Sequence, residues 1–436
     1  MQPERPSTNS FQSVLAWFRG LSKRNPLTLS RWLVCWAAVG IVCGGFASLY
    51  WILLEAVTHW FRGIQGISLI WVMPLVGLAI GLVIHRLGNP GEIGFIVDNI
   101  HTQEGRIDAR RNPSMLLSSL LSISSGGSLG PEAPMVQVTG SFGTWVANRL
   151  KLQGEAVRSL SLAGMAAGFT ALFGAPLGGA FFALEILHHH YVVEYYEALL
   201  PAVVASCASY LVFVLVTHLG IAATWQFPDY PLQNIDDFAW AIGFGILGAG
   251  VGWLFITLFK TCRSLFDGLS VHFNLPIYIR TTIAGLILGI LASIFPLTRF
   301  FGHEELNVVV ETNATAITLL VLALAKMLAI AVTVNGEWRG GFIIPLFFTG
   351  ACIGKAFALL IPGLHPALAM VATMAALNAS VTRTPISTSL LLTKLTGFTP
   401  ITPILFASLI GFFLSPKMPL IHSQLKATDG GEMVRS

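Results

Sequence analysis

Charged side chains are scarce in this chain of 436 residues. Asp, Glu, Lys and Arg together make up only 11% of it, whereas hydrophobic residues make up 54%. A soluble domain carries about 25% charged residues, so the composition excludes a soluble globular fold and predicts a protein that crosses the membrane several times. The net charge of +4 lies mainly in predicted loops and ends, and it gives no reason to expect a nucleic-acid partner.

Cysteines are few and have no metal-type spacing, so we expect neither a disulfide framework nor a metal site, and no cofactor. We expect the five cysteines to be small residues of the protein core: Cys35, Cys43, Cys207, Cys262 and Cys352. Residues 1–30 contain four basic residues and one acid and lack an apolar signal core, which predicts a cytoplasmic leader.

Long apolar runs predict spanning helices, which need about 20 residues each. The clear runs are 32–57, 67–84, 198–217, 238–259, 281–294 and 314–334. Shorter apolar pieces, several of them led by proline, predict tilted and half-spanning helices. These pieces are 114–125, 135–147, 160–172, 177–187, 343–361, 366–377, 385–395 and 400–414.

Basic loops indicate which ends of the helices face the cytoplasm. The segment 103–111 is the most basic internal loop, and Lys260 with Arg263 marks another. The positive-inside rule places both with the N-terminus. The tail at 416–436 is short and polar, and we expect it to leave no room for a folded regulatory domain.

Internal repetition divides the membrane part into two halves. The pattern at 174–185 recurs at 383–394, and the pattern at 130–143 recurs at 341–354, at nearly the same separation along the chain. Matching breaks in two halves are the best sequence indication of a transporter binding site. We predict repeats at 31–218 and 236–415 whose broken helices converge, unless the match reflects apolar composition alone.

Glu132 lies between two apolar runs in the sequence Gly-Gly-Ser-Leu-Gly-Pro-Glu-Ala-Pro at 126–134. A carboxylate is costly in hydrocarbon and is expected to face protein or a water-filled cavity. Glycines and prolines break the helix, which membranes tolerate where irregular backbone lines a cavity. Helix N-termini at such a break attract anions without a fixed cation. We predict an ion path gated by Glu132; the alternative is a structural carboxylate.

Three motifs resemble signatures of one family. The sequence Gly-Pro-Glu-Ala-Pro-Met-Val-Gln at 130–137 resembles the G-R/K-E-G-P-x-V-Q signature of the CLC family of chloride channels and proton/chloride antiporters. The sequence at 341–345 is similar to that family's G-x-F-x-P signature, and the one at 174–177 to its A-P-L helix start. The chain is identified as a bacterial member without CBS domains, and the resemblance covers about 31–425.

The resemblance implies an all-α polytopic membrane protein of two inverted-topology helical repeats with broken, tilted helices. It also implies a homodimer in the lipid of the cell inner or plasma membrane, with an anion pathway in each subunit and no enzymatic activity. Glu132 takes the place of the family's gating glutamate and proton acceptor. The implied anion-binding residues are Asn89, Gly130, Pro131, Ala133, Phe342, Ile343, Ile344 and Ile421.

The chain departs from the family at three anion-binding positions. The segment 87–93 lacks the serine of the first anion motif, so Asn89 or backbone amides would coordinate the anion. Ile343 replaces the signature phenylalanine, with Phe342 one place earlier. Ile421 falls where the family has a tyrosine, with His422 beside it. The loss of both hydroxyl ligands leaves chloride, fluoride or another halide open.

The internal proton path differs as well. Antiporters of the family often carry an internal glutamate where this chain has Ile186, directly after Glu185. One hypothesis is therefore a passive channel. The other is proton/anion exchange in which water or Glu185 delivers protons to Glu132.

Three other polar features of the sequence each have two interpretations. The three histidines at 188–190 indicate a helix end at the membrane interface rather than a metal site. The sequence His-Glu-Glu at 303–305 either shapes an aqueous vestibule or is a solvated loop, and Lys394 either pairs with an acid or lies at the cytoplasmic rim. An intramembrane hydrolase with Ser128 as nucleophile lacks a convincing histidine or lysine partner. A scaffold or receptor is disfavoured because no large soluble domain is evident.

Overall fold

The computed structural model describes residues 26–91, 94, 98, 105–187, 192–228, 230, 234–398, 400–416 and 420. Side chains are described from residue 31, and from residue 197 in the helix that begins at 192. Most of the predicted leader and tail, the histidines at 188–190 and Ile421 therefore lie outside the described residues.

The described residues form fifteen α-helices. The first half contains α1 (Pro26–Arg62), α2 (Leu69–Leu87), α3 (Asn112–Ser125), α4 (Glu132–Arg149), α5 (Glu155–Phe173), α6 (Pro176–Glu185) and α7 (Val192–Thr217). The second half contains α8 (Asp236–His272), α9 (Ile277–Ile294), α10 (Glu305–Glu311), α11 (Ala316–Asn335), α12 (Ile343–Leu360), α13 (Pro366–Thr382), α14 (Pro385–Thr396) and α15 (Ile401–Phe413).

Eight of these helices, within the described residues, are long and apolar enough to cross a membrane. Large apolar side chains such as Trp71 and Leu75 are exposed on them, as expected for a surface that faces lipid. Each predicted apolar run coincides with a helix, and Pro176, Pro366 and Pro385 begin helices as predicted.

Two helices predicted to be too short to cross, α5 and α12, are long enough, with 19 and 18 residues. The prediction missed the first turn of α5 because that turn contains Glu155 and Arg158, which end an apolar run but are good helix formers. For the same reason α8 continues well beyond the predicted end at 259, through a polar segment as far as His272.

Among the described residues, the two halves repeat seven helices in the same order, and α10 is an additional helix of the second half. Helices α1 and α8 each contain 37 residues, and α4 and α12 each contain 18. Packing repeats as well, since α4 lies on α5 as α12 lies on α13, and α1 lies on α7 as α8 lies on α15. The halves meet through equivalent helices, α2 on α9 and α6 on α14. This is the arrangement of two repeats around a pseudo-two-fold axis, although the repeat boundaries at 31–218 and 236–415 stay a prediction.

Glycine allows some of these helices to approach closely. A methyl group on Gly143 of α4 would overlap the carbonyl oxygen of Leu160 in α5, and one on Gly164 would overlap the carbonyl oxygen of Thr139. Membrane helices associate through such small-residue contacts because lipid offers no hydrophobic driving force between them. The close approach holds α4, which begins with Glu132, in a fixed position.

Candidate functional site

Two helix breaks meet at the centre of the protein. One lies between α3 and α4, at 126–131, and the other between α11 and α12, at 336–342. Gly130 N–H donates to the carbonyl oxygen of Gly341 (2.6 Å), and Gly341 N–H donates to that of Gly130 (2.7 Å). These two glycines are equivalent in the repeat, so the pseudo-two-fold axis passes between them. The predicted convergence of the two breaks is confirmed by this pair of hydrogen bonds.

Glu132 lies where the N-termini of α4 and α12 come together. It is the first residue of α4 and is fully buried. Its Oε1 accepts a hydrogen bond from the backbone N–H of Ile344, in the first turn of α12 (3.0 Å). The carboxylate therefore occupies a position where the unpaired N–H groups and dipoles of two helices favour negative charge.

In the part of the chain that the structure describes, one of the two oxygens of the buried Glu132 carboxylate lacks a hydrogen-bond donor. Among the described residues, Glu132 Oε2 has no hydrogen-bond donor. The atom lies instead against Gly130 and Gly341, where a methyl group on either residue would overlap the carboxylate. Glycine at both positions thus leaves just enough space for two carboxylate oxygens. A buried oxygen without a donor is costly, so the carboxylate is held by the hydrogen bond from the Ile344 N–H and by its contacts with the two glycines.

The remaining residues of the matched motifs surround this point. Pro131 precedes the first turn of α4, and Phe342 precedes the first turn of α12. Both Ala133 and Ile343 are buried. The structure therefore brings together every predicted anion-binding residue that it describes, except Asn89.

Asn378 is a neighbour that the sequence did not indicate. It is fully buried in α13, and its Nδ2 donates to the carbonyl oxygen of Ile343 (3.3 Å). The signal was an amide in the middle of an otherwise apolar helix. Its contact holds the backbone of α12 beside the Glu132 carboxylate, whereas its own Oδ1 has no hydrogen-bond partner among the described residues.

Asn89 lies in the turn after α2 and makes a different set of contacts. Its Oδ1 accepts hydrogen bonds from Arg339 Nη2 (2.8 Å) and from the backbone N–H of Gly91 (3.0 Å). Its carbonyl oxygen accepts from Arg111 Nη1 (3.0 Å). The amide oxygen cannot coordinate an anion, because both are acceptors.

Four basic side chains are buried in the second half of the chain. Arg299, Lys326, Arg339 and Lys355 are all buried. Lys326 Nζ donates to the carbonyl oxygens of Thr298 (3.1 Å) and Phe300 (2.8 Å). Arg299, Lys326 and Lys355 donate hydrogen bonds to backbone carbonyl oxygens in turns and at helix ends. These hydrogen bonds compensate for the burial of their charges. Arg339 differs, because it donates to the side chains of Asn89 and Glu337.

Glu185 ends α6 and contacts the other repeat. Its two carboxylate oxygens accept hydrogen bonds from the backbone N–H groups of Ile386 (3.0 Å) and Ser387 (2.8 Å), in the first turn of α14. It therefore caps a helix N-terminus. Ile186 is buried. Lys394 donates to the carbonyl oxygens of Ile221 (2.7 Å) and Ala222 (3.3 Å).

The loop after α9 packs against the first half. The His303 ring lies 5.4 Å from that of Trp51, and Glu304 forms an ion pair with Arg62 (2.6 Å). Ser128 is buried, and its backbone N–H donates to Thr333 Oγ1 (3.3 Å). Within the described part of the chain, no group of three or more metal-ligating side chains is present.

Comparison with known proteins agrees with this geometry. The sequence profile of the family described as "Voltage gated chloride channel" matches residues 88–416. The chain is 27% identical over 410 residues to a chloride/fluoride channel protein of Pseudomonas syringae pv. tomato, covering 91% of this chain and 86% of that protein.

Solved structures show the same fold. A CLC-type fluoride/proton antiporter has a TM-score of 0.80 at 21% identity, covering 92% of this chain and 99% of the other. A slow cyanobacterial Cl⁻/H⁺ antiporter has a TM-score of 0.78 at 22% identity, covering 91% and 98%. The chain is therefore a multi-pass membrane protein that belongs to the voltage-gated chloride channel (CLC) family.

Proposed function

We propose that this protein carries chloride or a similar small anion across the membrane and that Glu132 gates its path. One observation carries the proposal: the Glu132 carboxylate accepts a hydrogen bond from the Ile344 N–H where two helix N-termini meet. An anion requires the same donors. The carboxylate and the transported ion therefore compete for one position.

Helix dipoles suit a transport site better than a fixed cation. Each N-terminus supplies about half a positive charge and unpaired N–H donors. Conduction needs binding that is favourable but easily reversed, and two dipole ends provide this without a permanent charge at the same point. In this role Gly130, Pro131 and Ala133 line one side of the site, and Phe342, Ile343 and Ile344 line the other.

Protonation of Glu132 would open the path. The ionised carboxylate holds the position of the anion, whereas the neutral acid has no net charge with which to compete for the N–H donors. Proton/anion exchange results if Glu132 takes up a proton from one side of the membrane and releases it to the other side while the anion moves in the opposite direction, with Glu185 and Ile186 at the position of the internal proton path. A passive channel without proton coupling is the second candidate, since Ile186 cannot carry a proton and Glu185 caps α14.

The relatives leave two candidate ions. A chloride/fluoride channel and both kinds of antiporter are among the similar proteins. We propose a halide, either chloride or fluoride. We further propose that the protein is a homodimer in the cell inner or plasma membrane, with the two repeats at 31–218 and 236–415.

The test is halide efflux from liposomes that contain the purified protein, with proton movement recorded on the same sample. Proton uptake driven by a halide gradient supports exchange, and halide efflux without proton movement supports a channel. Separate chloride and fluoride gradients identify the ion.

Glu132→Gln keeps the shape of the side chain and removes its charge. We expect this variant to lose proton coupling and the dependence of efflux on pH. Glu311→Gln, which neutralises an exposed acid at the end of α10, is the matched control and should behave as the wild type. Unchanged efflux and pH dependence in Glu132→Gln would remove Glu132 as the gate.

A further inference from the structure

A guanidinium group lies close to the helix break in a position that the gate does not use. Arg339 is only 2% exposed and precedes Gly341 by two residues, which span at most about 7 Å. Its Nη2 donates to Asn89 Oδ1 (2.8 Å) in the turn after α2. The side chain thus links the break at the Glu132 site to the Asn89 turn.

The Asn89 turn lies at the opposite end of α3 from the Glu132 loop. Arg111, which donates to the carbonyl oxygen of Asn89, immediately precedes α3. The loop that leads to Glu132 follows the C-terminus of α3, and a helix of 14 residues is about 20 Å long. Arg339 therefore extends from the break toward the end of α3 that Arg111 precedes.

A carboxylate covers this guanidinium. Glu337 forms an ion pair with Arg339 Nη2, and the Glu337 side chain is 21% exposed where that of Arg339 is 2% exposed. The acid is therefore the more exposed member of the pair. Glu337 has a φ of +66°, a left-handed conformation that non-glycine residues rarely adopt. In this turn its carboxylate contacts the guanidinium group of Arg339.

We propose that Arg339 is a second anion-binding residue of the path and that Glu337 occupies its site until a halide replaces it. This inference rests on the proposed function. A guanidinium stays charged at every physiological pH, so protonation cannot release an anion from Arg339 as it can at the gate. Exchange with the Glu337 carboxylate provides the release instead, and it keeps binding weak enough for conduction.

The pair thus repeats at one end of the path what Glu132 does at the break. In each case a carboxylate of the protein holds the donors that the transported ion needs. The difference is in the donor, which is backbone N–H at Glu132 and a guanidinium at Arg339.

The test is halide binding to the detergent-purified protein by isothermal titration calorimetry, with sodium chloride and sodium fluoride at constant ionic strength. Glu337→Gln removes the competing charge and should tighten binding of the transported halide by about tenfold. Arg339→Gln should weaken it by about tenfold or more, because a hydrogen bond to a charged group contributes that much. Arg339→Lys keeps the charge and should restore part of the affinity.

Arg280 and Asp267 form a control pair of the same chemistry (2.8 Å). Arg280→Gln and Asp267→Asn should leave halide affinity unchanged. If Glu132→Gln abolishes the pH dependence of efflux while Glu337→Gln and Arg339→Gln bind halide as the wild type does, the inference is wrong and the proposed function stands. If no variant and no wild-type sample binds or carries a halide, both are wrong. Should Arg339→Gln fail to fold, Glu337→Gln decides alone, and unchanged affinity in it overturns the inference.

Discussion

Gly341→Ala tests whether the position of the Glu132 carboxylate controls the path. A methyl group on Gly341 would lie 2.5 Å from Glu132 Oε2 and 2.9 Å from Glu132 Cβ. Ordinary contacts of a methyl carbon lie at about 3.5 Å or more, so the carboxylate has to move by about 1 Å, and Glu132 Cβ at the start of α4 has to shift with it. Gly341 does not have a positive φ, so alanine causes no backbone strain there.

The expected effect follows from one hydrogen bond. Moving the carboxylate by about 1 Å lengthens its contact with the Ile344 N–H, now 3.0 Å, beyond hydrogen-bond range. A hydrogen bond to a charged group contributes about 1.5–3 kcal/mol. The closed state of the gate should therefore lose about 10- to 100-fold in population relative to the open state.

The assay is halide efflux from liposomes between pH 5 and pH 8. We expect Gly341→Ala to carry halide faster than the wild type at neutral pH and to depend less on pH. Gly250→Ala is the control, because a methyl group on Gly250 meets nothing within 4 Å. Efflux that is unchanged or slower in Gly341→Ala, with the protein folded, would refute the competition between the carboxylate and the ion.

Two further predictions concern stability. Lys326→Met leaves the carbonyls of the turn after α9 without their donor, which costs about 1–3 kcal/mol for each buried acceptor. The midpoint of thermal unfolding in detergent should therefore fall. An equal or higher midpoint would contradict this role of Lys326. Burial lowers the pKa of His303 to about 4, whereas an unfolded histidine titrates near 6.5. The folded state therefore holds fewer protons than the unfolded state between these values, and stability should fall as the pH drops from about 6.5 to about 4. His303→Gln should show a smaller fall over this range in the same thermal assay, and an equal fall would contradict the assignment.

The helices were predictable because apolar length is a local property. Each apolar run became a helix, and the errors concern ends such as the first turn of α5, where charged residues continue a helix beyond its apolar part. The repeat was also predictable, since the alignment that matched Gly130 with Gly341 matched the two residues that exchange hydrogen bonds.

The contacts of the site were predictable only in part. Glu132 was indicated by its cost in a membrane, and the repeat placed it opposite Ile343, one residue from its hydrogen-bond donor Ile344. The pairing of Arg339 with Asn89 was not predictable, because 250 positions separate the two residues and no motif joins them. The two turns come together in the folded protein, in which α2 packs against α9 of the second half.

The most direct measurement of the central claim is a crystal structure of Glu132→Gln grown with bromide, in which anomalous scattering locates the ion. We predict a bromide peak within hydrogen-bond distance of the Ile344 N–H, in the position that the Glu132 carboxylate occupies in the wild type. The absence of bromide from the break in Glu132→Gln, or a bromide peak at this position in wild-type crystals with the carboxylate still bonded to the Ile344 N–H, would contradict the claim that the two compete for one site.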